Sequence, residues 1–402
     1  MFSRDQSWKI VVKEEVREVP EVFWSLTHPD GKETSKFIQK DYVIAMSSYC
    51  NTWIALFYKN NLPSGYAVFY LSTFQSSEIQ HQISKCWGVR DWMAKRWANT
   101  SRVQHVLVCG NPLISGEHGF FFSIEESPAQ LADVLCDAMN MMVKEVNRKG
   151  LNLSICIIKD FYPHQQWLQA ALGKCGFSPL QGDPIMTLPI SPRWKSQADY
   201  QQDLISKFRS KSITAYQKSQ RLTKVRFSLD EMESRVEEWY PLFEQVYERA
   251  QYKWKKLSSD AIVQWKRALG EQAQMQVYQL DEKVIGFSMS VFGQDEMEAL
   301  MVGIDYDYNK EYQVYSRMLY DFIEQGIEAK MSFISFGRTA LEIKSSVGAL
   351  PFPAIALMRH SRSVTNFLVR WLVTMFQPEQ VELRQVWKQE TYAELSGILK
   401  NR

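Results

Sequence analysis

The stretch QMQVYQL-DEK-VIGFSMSVF, residues 274–292, decides the fold class of this chain. Its second apolar run alternates large side chains with Gly286, Ser288 and Ser290, which is the period-two pattern of a half-buried strand. The Asp-Glu-Lys tripeptide between the two runs has the polar character of a turn. The stretch therefore predicts a β-hairpin.

Further strand and helix patterns follow the hairpin. Residues 298–304 (EALMVGI) and 331–337 (MSFISFG) have the composition of buried strands. Between them an apolar face recurs at helical spacing, formed by Tyr312, Tyr315, Leu319, Phe322, Ile323, Gly326 and Ile327. The order hairpin, strand, helix, strand predicts an α/β (α+β) domain in the second half of the chain.

The first half of the chain repeats this order. TWIALFY (52–58) and YAVFYLS (66–72) flank a turn that contains proline and glycine, which predicts a second hairpin. A helix pattern from about Pro128 ends at Gly150, and the strand pattern LNLSICII (151–158) follows. The repeat indicates that one supersecondary unit is used twice.

Spacing and proline positions suggest the domain boundaries. Matching elements lie further apart in the first half of the chain than in the second. We attribute the difference to an insertion near 76–104. Pro189 and Pro192 interrupt regular structure where the two halves join. We therefore expect an N-terminal domain over 1–192 and a C-terminal domain over 193–402, each a mixed, mostly antiparallel sheet flanked by helices.

Composition and charge exclude several classes of protein. Of the 402 residues 45% are hydrophobic and 23% charged, which is typical of globular domains. Lys and Arg number 47 against 45 Asp and Glu, and this net charge of +2 argues against nucleic-acid binding by bulk charge. No apolar run approaches the roughly 18–20 residues of a bilayer span. With no C-x-x-C pair and Cys109 and Cys156 inside apolar strands as reduced thiols, we expect a cytoplasmic protein.

The standard catalytic and metal motifs are absent from the sequence. It contains no P-loop, no G-x-G-x-x-G after a strand, no G-x-S-x-G and no H-E-x-x-H, and its six histidines form no H-x-x-x-H pair. We therefore expect chemistry that needs no metal and no tightly bound cofactor.

One segment between Leu204 and Leu229 is locally basic. It holds seven cations and no acid, namely Lys207, Arg209, Lys211, Lys218, Arg221, Lys224 and Arg226. Two interpretations stay open: a solvated helix face, or a phosphate-binding surface for a nucleotide, a phosphorylated substrate or tRNA. In the second, Arg209, Lys211, Lys218 and Arg221 are the candidate anion ligands.

The segment ISFGRTALEIKSSVGALP, residues 334–351, holds the candidate catalytic residues. A loop beyond the carboxyl end of a strand is a favoured ligand position in α/β folds. There Arg338 could clamp a carboxylate or phosphate, Lys344 could stabilise an oxyanion, and Glu342 could accept a proton if burial raises its pKa. The alternative is that Arg338 and Glu342 pair with each other and that Lys344 is solvated.

GIDYDYNKEYQVYSRM, residues 303–318, is the second candidate segment. Asp305 precedes a helix, where an aspartate commonly serves as an N-cap. Tyr308 and Tyr312 could line a substrate cleft, although Tyr312 falls on the apolar helix face and could equally belong to the core.

Together these segments resemble the FemAB-like branch of the GNAT acyltransferase superfamily, including domains named for peptidoglycan or cellulose biosynthesis. The residues that carry the resemblance are Gly303, Asp305, Tyr308, Tyr312, Phe336, Gly337, Arg338, Lys344 and Gly348. The resemblance is clearest over 196–360. It implies two tandem GNAT-like domains, of which the C-terminal one carries the active site. It also implies acyl or aminoacyl transfer to an amine of a small-molecule or peptidic acceptor, with Lys344 beside the donor and Phe336 among the substrate-binding residues.

The sequence departs from the superfamily at the expected pyrophosphate site. The turns DYDYNKEY (305–312) and SIEESPAQ (123–130) contain no glycine, and the second is acidic. The co-substrate therefore stays open among acyl-CoA, an acyl-carrier protein and aminoacyl-tRNA. A tRNA-dependent aminoacyltransferase and a non-catalytic binding protein on a degenerate GNAT fold are the alternative functions.

The run VTNFLVRWLVTMF, residues 364–376, is the most apolar near the C-terminus. With Arg359, Arg362 and Arg370 close by, it could lie on a membrane surface. We favour a packing helix instead, because its polar face is nearly absent.

Overall fold

The structure is a computed structural model that describes residues 7–27, 35–75, 103–250, 256–373 and 382–402. The expected insertion near 76–104 lies almost wholly outside the described residues. The strands are β1 (Trp8–Lys13), β2 (Asn51–Lys59), β3 (Leu62–Gln75), β4 (Val103–Cys109), β5 (Phe120–Phe122), β6 (Leu153–Phe161), β7 (Ser178–Gln181), β8 (Ile185–Pro189), β9 (Thr223–Phe227), β10 (Ala273–Leu280), β11 (Lys283–Phe292), β12 (Glu296–Ile304), β13 (Phe333–Ser335), β14 (Leu350–Phe352) and β15 (Ile355–His360).

The α-helices lie between and after these strands. They are α1 (Glu21–Trp24), α2 (Lys40–Ser47), α3 (Pro128–Arg148), α4 (Gln166–Gly173), α5 (Gln197–Asp203), α6 (Ser206–Lys218), α7 (Leu229–Ser234), α8 (Val236–Arg249), α9 (Ser259–Leu269), α10 (Tyr306–Tyr312), α11 (Val314–Glu328), α12 (Leu341–Ser345), α13 (Asn366–Val373) and α14 (Gln389–Lys400). In the part of the chain that the structure describes, none of them is both long and apolar enough to cross a bilayer.

The chain divides into two compact units. One comprises residues 1–182 and 353–378, and the other comprises 183–352 and 379–402. The chain first passes from one unit to the other before β8 and not near 192, because β8 pairs with β13 and β14 of the second unit. The chain returns after Phe352, because β15 pairs with β6 and β7. Neither unit is therefore a single continuous segment.

The first unit is built on one mixed sheet. Its strand order is β1-β2-β3-β4-β6-β15-β7, with β5 paired to β3. Within the described residues of this unit only β4 and β6 pair in parallel, and α3 forms the crossover between them. Ser127 accepts a hydrogen bond from the Gln130 amide and Pro128 occupies the first turn, as a helix start requires. The expected helix over 128–149 is confirmed.

The cysteines of the first unit fall into two groups. Cys109 and Cys156 are free and buried, as we expected from their strand positions. Cys136 of α3 is joined to Cys175 by a disulfide, which the scattered spacing of the cysteines did not indicate. The disulfide links α3 to the segment that follows α4.

We expect Cys175→Ser to lower the free energy of unfolding by about 4 kcal/mol, because a cross-link closing a loop of 39 residues restricts the unfolded chain. Urea unfolding of both proteins without reductant measures the difference. With excess reductant the two curves should nearly coincide. Equal stabilities without reductant would contradict a structural role for this disulfide.

The second unit is built on a seven-stranded sheet of order β14-β8-β13-β12-β11-β10-β9. The hairpin predicted over 274–292 is confirmed as β10 and β11, with Asp281 and Glu282 at positive φ in the turn. In the part of this unit that the structure describes, only β12 and β13 pair in parallel, and α11 is part of their crossover. Gln313 has φ 49° and separates α10 from α11, so Tyr312 ends the first helix instead of beginning the second.

The two units therefore share one plan. In each, antiparallel strands lead to a single parallel pair that is bridged by a helical crossover. The expected fold class, two mixed and mostly antiparallel sheets flanked by helices, is confirmed.

The apolar run at 364–376 is a helix over Asn366–Val373, and residues 374–376 lie outside the described part. Val369 and Val373 are buried in a cluster with Met358 of β15, as in a packing helix. Phe367 is 65% exposed.

Candidate functional site

The parallel strands of the second unit separate and leave a cleft along β12. Their pairing is limited to Glu296–Glu298 of β12 against Phe333–Ser335 of β13. Beyond that point β12 continues to Ile304, with a bulge in its pairing with β11. Residues 299–302 are only half-buried, although β12 is an interior strand of the sheet. Beyond Glu298 this edge of β12 has no strand partner among the described residues, although α8 also packs against β12.

Lys344 lies where these two strands separate. Its Nζ donates to the carbonyl oxygen of Phe336, which directly follows β13, and lies 3.5 Å from Oγ1 of Thr339. The side chain is buried, so the alternative of a solvated lysine is wrong. A Cβ built at Gly337 would meet no atom within 4 Å, so the loop above Lys344 borders open space.

The Lys344 amine has an unusual pKa. Burial lowers the pKa to about 7, and the negative charge of Glu298 opposes that shift. At neutral pH the amine therefore exists in both charged and uncharged forms. A lysine at the end of an open strand pair with such a pKa is suited to donate to a developing oxyanion or to exchange a proton.

Glu298 is the functional candidate that the sequence analysis missed. It is 9% exposed and pairs with Ser335 at the last residue of the parallel register. Burial raises its pKa well above the ordinary value and Glu296 adds to the rise, whereas Ser335, Arg402 and Lys344 oppose it. The sequence feature that could have identified Glu298 was a carboxylate inside the strand sequence EMEALMVGI (296–304). Buried carboxylates of this kind serve as proton acceptors.

The loop that carries Lys344 is held from several sides. Tyr200 donates a hydrogen bond of 2.9 Å to the Val347 carbonyl, and the indole of Trp387 donates one of 3.0 Å to the Gly348 carbonyl. The Arg384 amide donates to Oγ of Ser345 at 2.9 Å. These contacts fix α12 and with it the position of Lys344.

Glu342 does not occupy the expected environment. Its carboxylate pairs with Arg384 and the side chain is 54% exposed, so the burial that the proton-acceptor role required is absent. The alternative, a pair with Arg338, is also wrong, because Nη1 of Arg338 donates to the Asp183 carbonyl at 2.7 Å. The helix α12 turns Glu342 outward while Lys344 points in.

Asp305 and Tyr308 lie in a different place from Lys344. Asp305 caps α10 by accepting from the Asp307 amide, and its carboxylate lies 3.1 Å from Nζ of Lys283. That Nζ also lies 4.4 Å from the centroid of the Tyr308 ring. Six strand residues separate Glu298 from the end of β12, a distance of about 20 Å. The N-cap interpretation of Asp305 is confirmed, and the structure does not bring these residues to Lys344.

Two further candidates contribute to the core. Tyr312 is 7% exposed in a cluster with Ile285 and Met318, so its core interpretation is confirmed. The Phe336 ring is 3% exposed and packs edge-to-face on Phe322 at 6.2 Å. Phe336 therefore contributes its backbone carbonyl to the site, and its side chain does not face a substrate.

The basic segment is not gathered into one anion site. Arg209 donates to the carbonyls of Gln201, Gln202 and Leu204 and closes the end of α5. Arg221 pairs with Asp281, and Lys224 pairs with Asp321 and Glu324. Lys211 and Lys218 remain exposed on α6. Two of the four candidate ligands, Arg209 and Arg221, therefore have structural partners.

Among the described residues, no three His, Cys, Asp or Glu side chains lie close enough together to hold a metal ion.

Comparison with known proteins identifies one domain. Residues 206–345 match the family model described as acetyltransferase (GNAT) domain, and this confirms the resemblance over that segment. Comparison with curated proteins gives no relative.

Several solved structures are similar to this chain at low identity. A protein of unknown function from Bacteroides thetaiotaomicron VPI-5482 has a TM-score of 0.49 and 8% identity, covering 87% of this chain and 99% of that one. A tandem GNAT protein from the clavulanic acid biosynthesis pathway has a TM-score of 0.49 and 8% identity, with coverages of 88% and 99%. FemX has a TM-score of 0.46 and 10% identity, with coverages of 82% and 89%.

Proposed function

Because residues 206–345 carry a GNAT acetyltransferase domain, we propose that this chain transfers an acyl or aminoacyl group from an activated donor to an amine. The acceptor is a small molecule or a peptide. The observation that supports this most directly is the buried pair of Lys344 and Glu298 at the point where β12 and β13 separate. An amine and a carboxylate are the two groups that direct acyl transfer needs.

Each member of the pair has a role in the reaction. As the acceptor nitrogen bonds to the donor carbonyl carbon, the Glu298 carboxylate takes the proton that the nitrogen loses. The protonated Lys344 donates a hydrogen bond to the oxygen, which becomes negative in the tetrahedral intermediate. The bond to the donor thiol or hydroxyl then breaks, and the proton passes to that leaving group.

The cleft along β12 favours an extended donor. Residues 299–302 are half-buried and have no β13 partner, so their backbone amides and carbonyls can bind a chain that carries amide groups. The turn that follows β12 is occupied by α10 and by the acidic Asp305 and Asp307, which disfavours a bound pyrophosphate. These features support an acyl-carrier thioester or aminoacyl-tRNA over free acetyl-CoA.

We expect Glu298→Gln to lower kcat/KM for acyl transfer by about 100-fold or more, since the amide cannot accept the proton. The assay incubates the full chain with acetyl-CoA, an acyl-carrier thioester or an aminoacyl-tRNA and a mixture of primary amines. Acylated amines are identified by mass spectrometry, and the rate is then measured with the identified pair.

Glu342→Gln is the matched comparison, because it makes the same change at an exposed carboxylate on the neighbouring helix. It should retain the wild-type rate. Consumption of none of the donors would contradict the proposed function. A Glu298→Gln enzyme as active as Glu342→Gln would remove Glu298 from the reaction.

A further inference from the structure

A second polar cluster lies in the first unit, at the carboxyl ends of its parallel strands β4 and β6. The loop of residues 110–119 follows β4, and Asp160 lies next to the last residue of β6. Asp160 is 2% exposed and has φ 59°, a conformation that non-glycine residues rarely adopt. This edge of a sheet is where α/β folds commonly bind ligands, and strained residues often occur at reactive sites.

The loop after β4 is rigidly built. Oδ1 of Asn111 accepts hydrogen bonds from the Leu113 and Ile114 amides at 2.9 and 3.1 Å. Oδ2 of Asp160 accepts from the Gly116 amide at 2.9 Å. These bonds hold the backbone on both sides of the turn that leads to His118.

His118 is hydrogen-bonded through both ring nitrogens. Nε2 lies 3.2 Å from the Ser115 carbonyl oxygen, and Nδ1 lies 2.7 Å from Oγ of Ser35. A carbonyl oxygen can only accept, so the proton of the neutral ring is on Nε2. Nδ1 must then accept the proton of the Ser35 hydroxyl.

The surroundings keep His118 neutral. Burial lowers its pKa to about 4, Lys159 adds to this effect, and Asp160 opposes it. A Cβ at Gly116 would lie 2.6 Å from Nε2, so the ring can approach the loop only because that position is glycine. At neutral pH the imidazole is therefore an unprotonated base with a fixed tautomer.

Ser35 has a structural role that is compatible with reactivity. Its Oγ accepts from the Phe37 amide at 3.3 Å and caps the short 3₁₀ turn of Lys36–Ile38. A hydroxyl can accept there and donate to His118 at the same time. A capping serine does not need a histidine partner. The hydroxyl of Ser127, which caps α3, donates instead to the side chain of Gln130.

We propose that Ser35 and His118 form a second reactive site, at which the Ser35 hydroxyl takes an acyl group from an activated ester or thioester. Oγ bonds to the carbonyl carbon while its proton moves to Nδ1 of His118, and the bond to the leaving alcohol or thiol breaks as that group receives the proton. Water then attacks the acyl-serine with Nδ1 again as base, releasing the acid and restoring Ser35. The site is independent of the function proposed above.

The test uses a fluorophosphonate probe, which reacts with activated serines, on the intact chain at neutral pH. Mass spectrometry of the digested protein should show Ser35 modified at least about 100-fold faster than Ser127, the capping serine without a histidine. This comparison needs no substitution, so it does not depend on the folding of a variant.

Two variants extend the test. Ser35→Ala should abolish labelling at that peptide, and His118→Gln should slow labelling of Ser35 by about 100-fold. Unchanged melting temperatures show that each variant is folded. Labelling of Ser35 no faster than that of Ser127 would overturn the proposal, as would labelling that is insensitive to a folded His118→Gln variant.

Discussion

Replacing Lys344 by methionine should lower kcat/KM for acyl transfer by about 100-fold or more, and it should stabilise the chain near neutral pH. Activity falls because methionine cannot donate to the oxyanion of the tetrahedral intermediate. Stability rises because the 7% exposed amine loses hydration on folding, whereas methionine of similar length does not, and we expect this cost to exceed the loss of the bond from Nζ to the Phe336 carbonyl. Steady-state kinetics and urea unfolding of the same preparations measure the two effects.

The stability gain should depend on pH in a defined way. Lys344 has a pKa of about 7 when folded and an ordinary value of 10.5, so between these values the unfolded chain binds more protons. Its unfavourable contribution is complete below pH 7 and disappears as the pH rises through 10.5. Glu298 has a raised pKa and so acts in the opposite sense, with stability falling as the pH rises above 4.5. In Lys344→Met only the trend caused by Glu298, a loss of stability as the pH rises above 4.5, should remain.

Lys266 provides the matched control. It is also a buried lysine, at 6% exposure, but its Nζ donates to the Gly270 and Ala273 carbonyls at 3.0 and 2.8 Å. Lys266→Met should therefore destabilise the chain by leaving those carbonyls unpaired, with no effect on kcat/KM below its melting temperature. An unchanged rate in Lys344→Met would exclude Lys344 from the reaction.

Gly348→Ala should lower the free energy of unfolding by about 2–5 kcal/mol. A Cβ there would lie 2.0 Å from Cζ2 of Trp387, and φ is +95°. The indole cannot easily move, because it stacks on Trp194 at 5.4 Å and meets Tyr200 edge-on at 5.6 Å. The estimate combines an overpacking term of about 1–3 kcal/mol with backbone strain of about 1–2 kcal/mol.

The variant Gly337→Ala measures the backbone strain without the overpacking. Gly337 also has positive φ, at +69°, but its added Cβ would meet no atom within 4 Å. Its loss should be only the strain, about 1–2 kcal/mol. Guanidinium unfolding of both variants measures the difference, and equal losses would show that Trp387 does not constrain the loop at Gly348.

Local patterns predicted several of the elements and one candidate site residue. The alternation over 284–292 predicted β11, and Gly150 correctly marked the end of the helix before β6. Lys344 was selected because it follows a strand in a glycine-containing loop. These features depend on residues close together in sequence.

The remaining features depend on contacts between distant residues. Glu298 stood at the start of an apolar run, and its position beside Ser335 depends on the parallel pairing of β12 with the distant strand β13. The burial on which the proposed role of Glu342 depended is absent, and its pairing with Arg384 joins residues too distant in sequence to be read from a local pattern. The contact of Gly348 with Trp387 joins residues 39 positions apart.

The placement of β8 and β15 has a consequence for how the chain is made. In the first unit β15 lies between β6 and β7, so that sheet has a gap until residue 360 has left the ribosome. By then nearly all of the second unit has been synthesised. A proteolytic fragment or gene fusion that ends at 192 would likewise leave β7 without its partner, and one that begins at 193 would lack β8 between β13 and β14. The two units should therefore be inherited, expressed and degraded together.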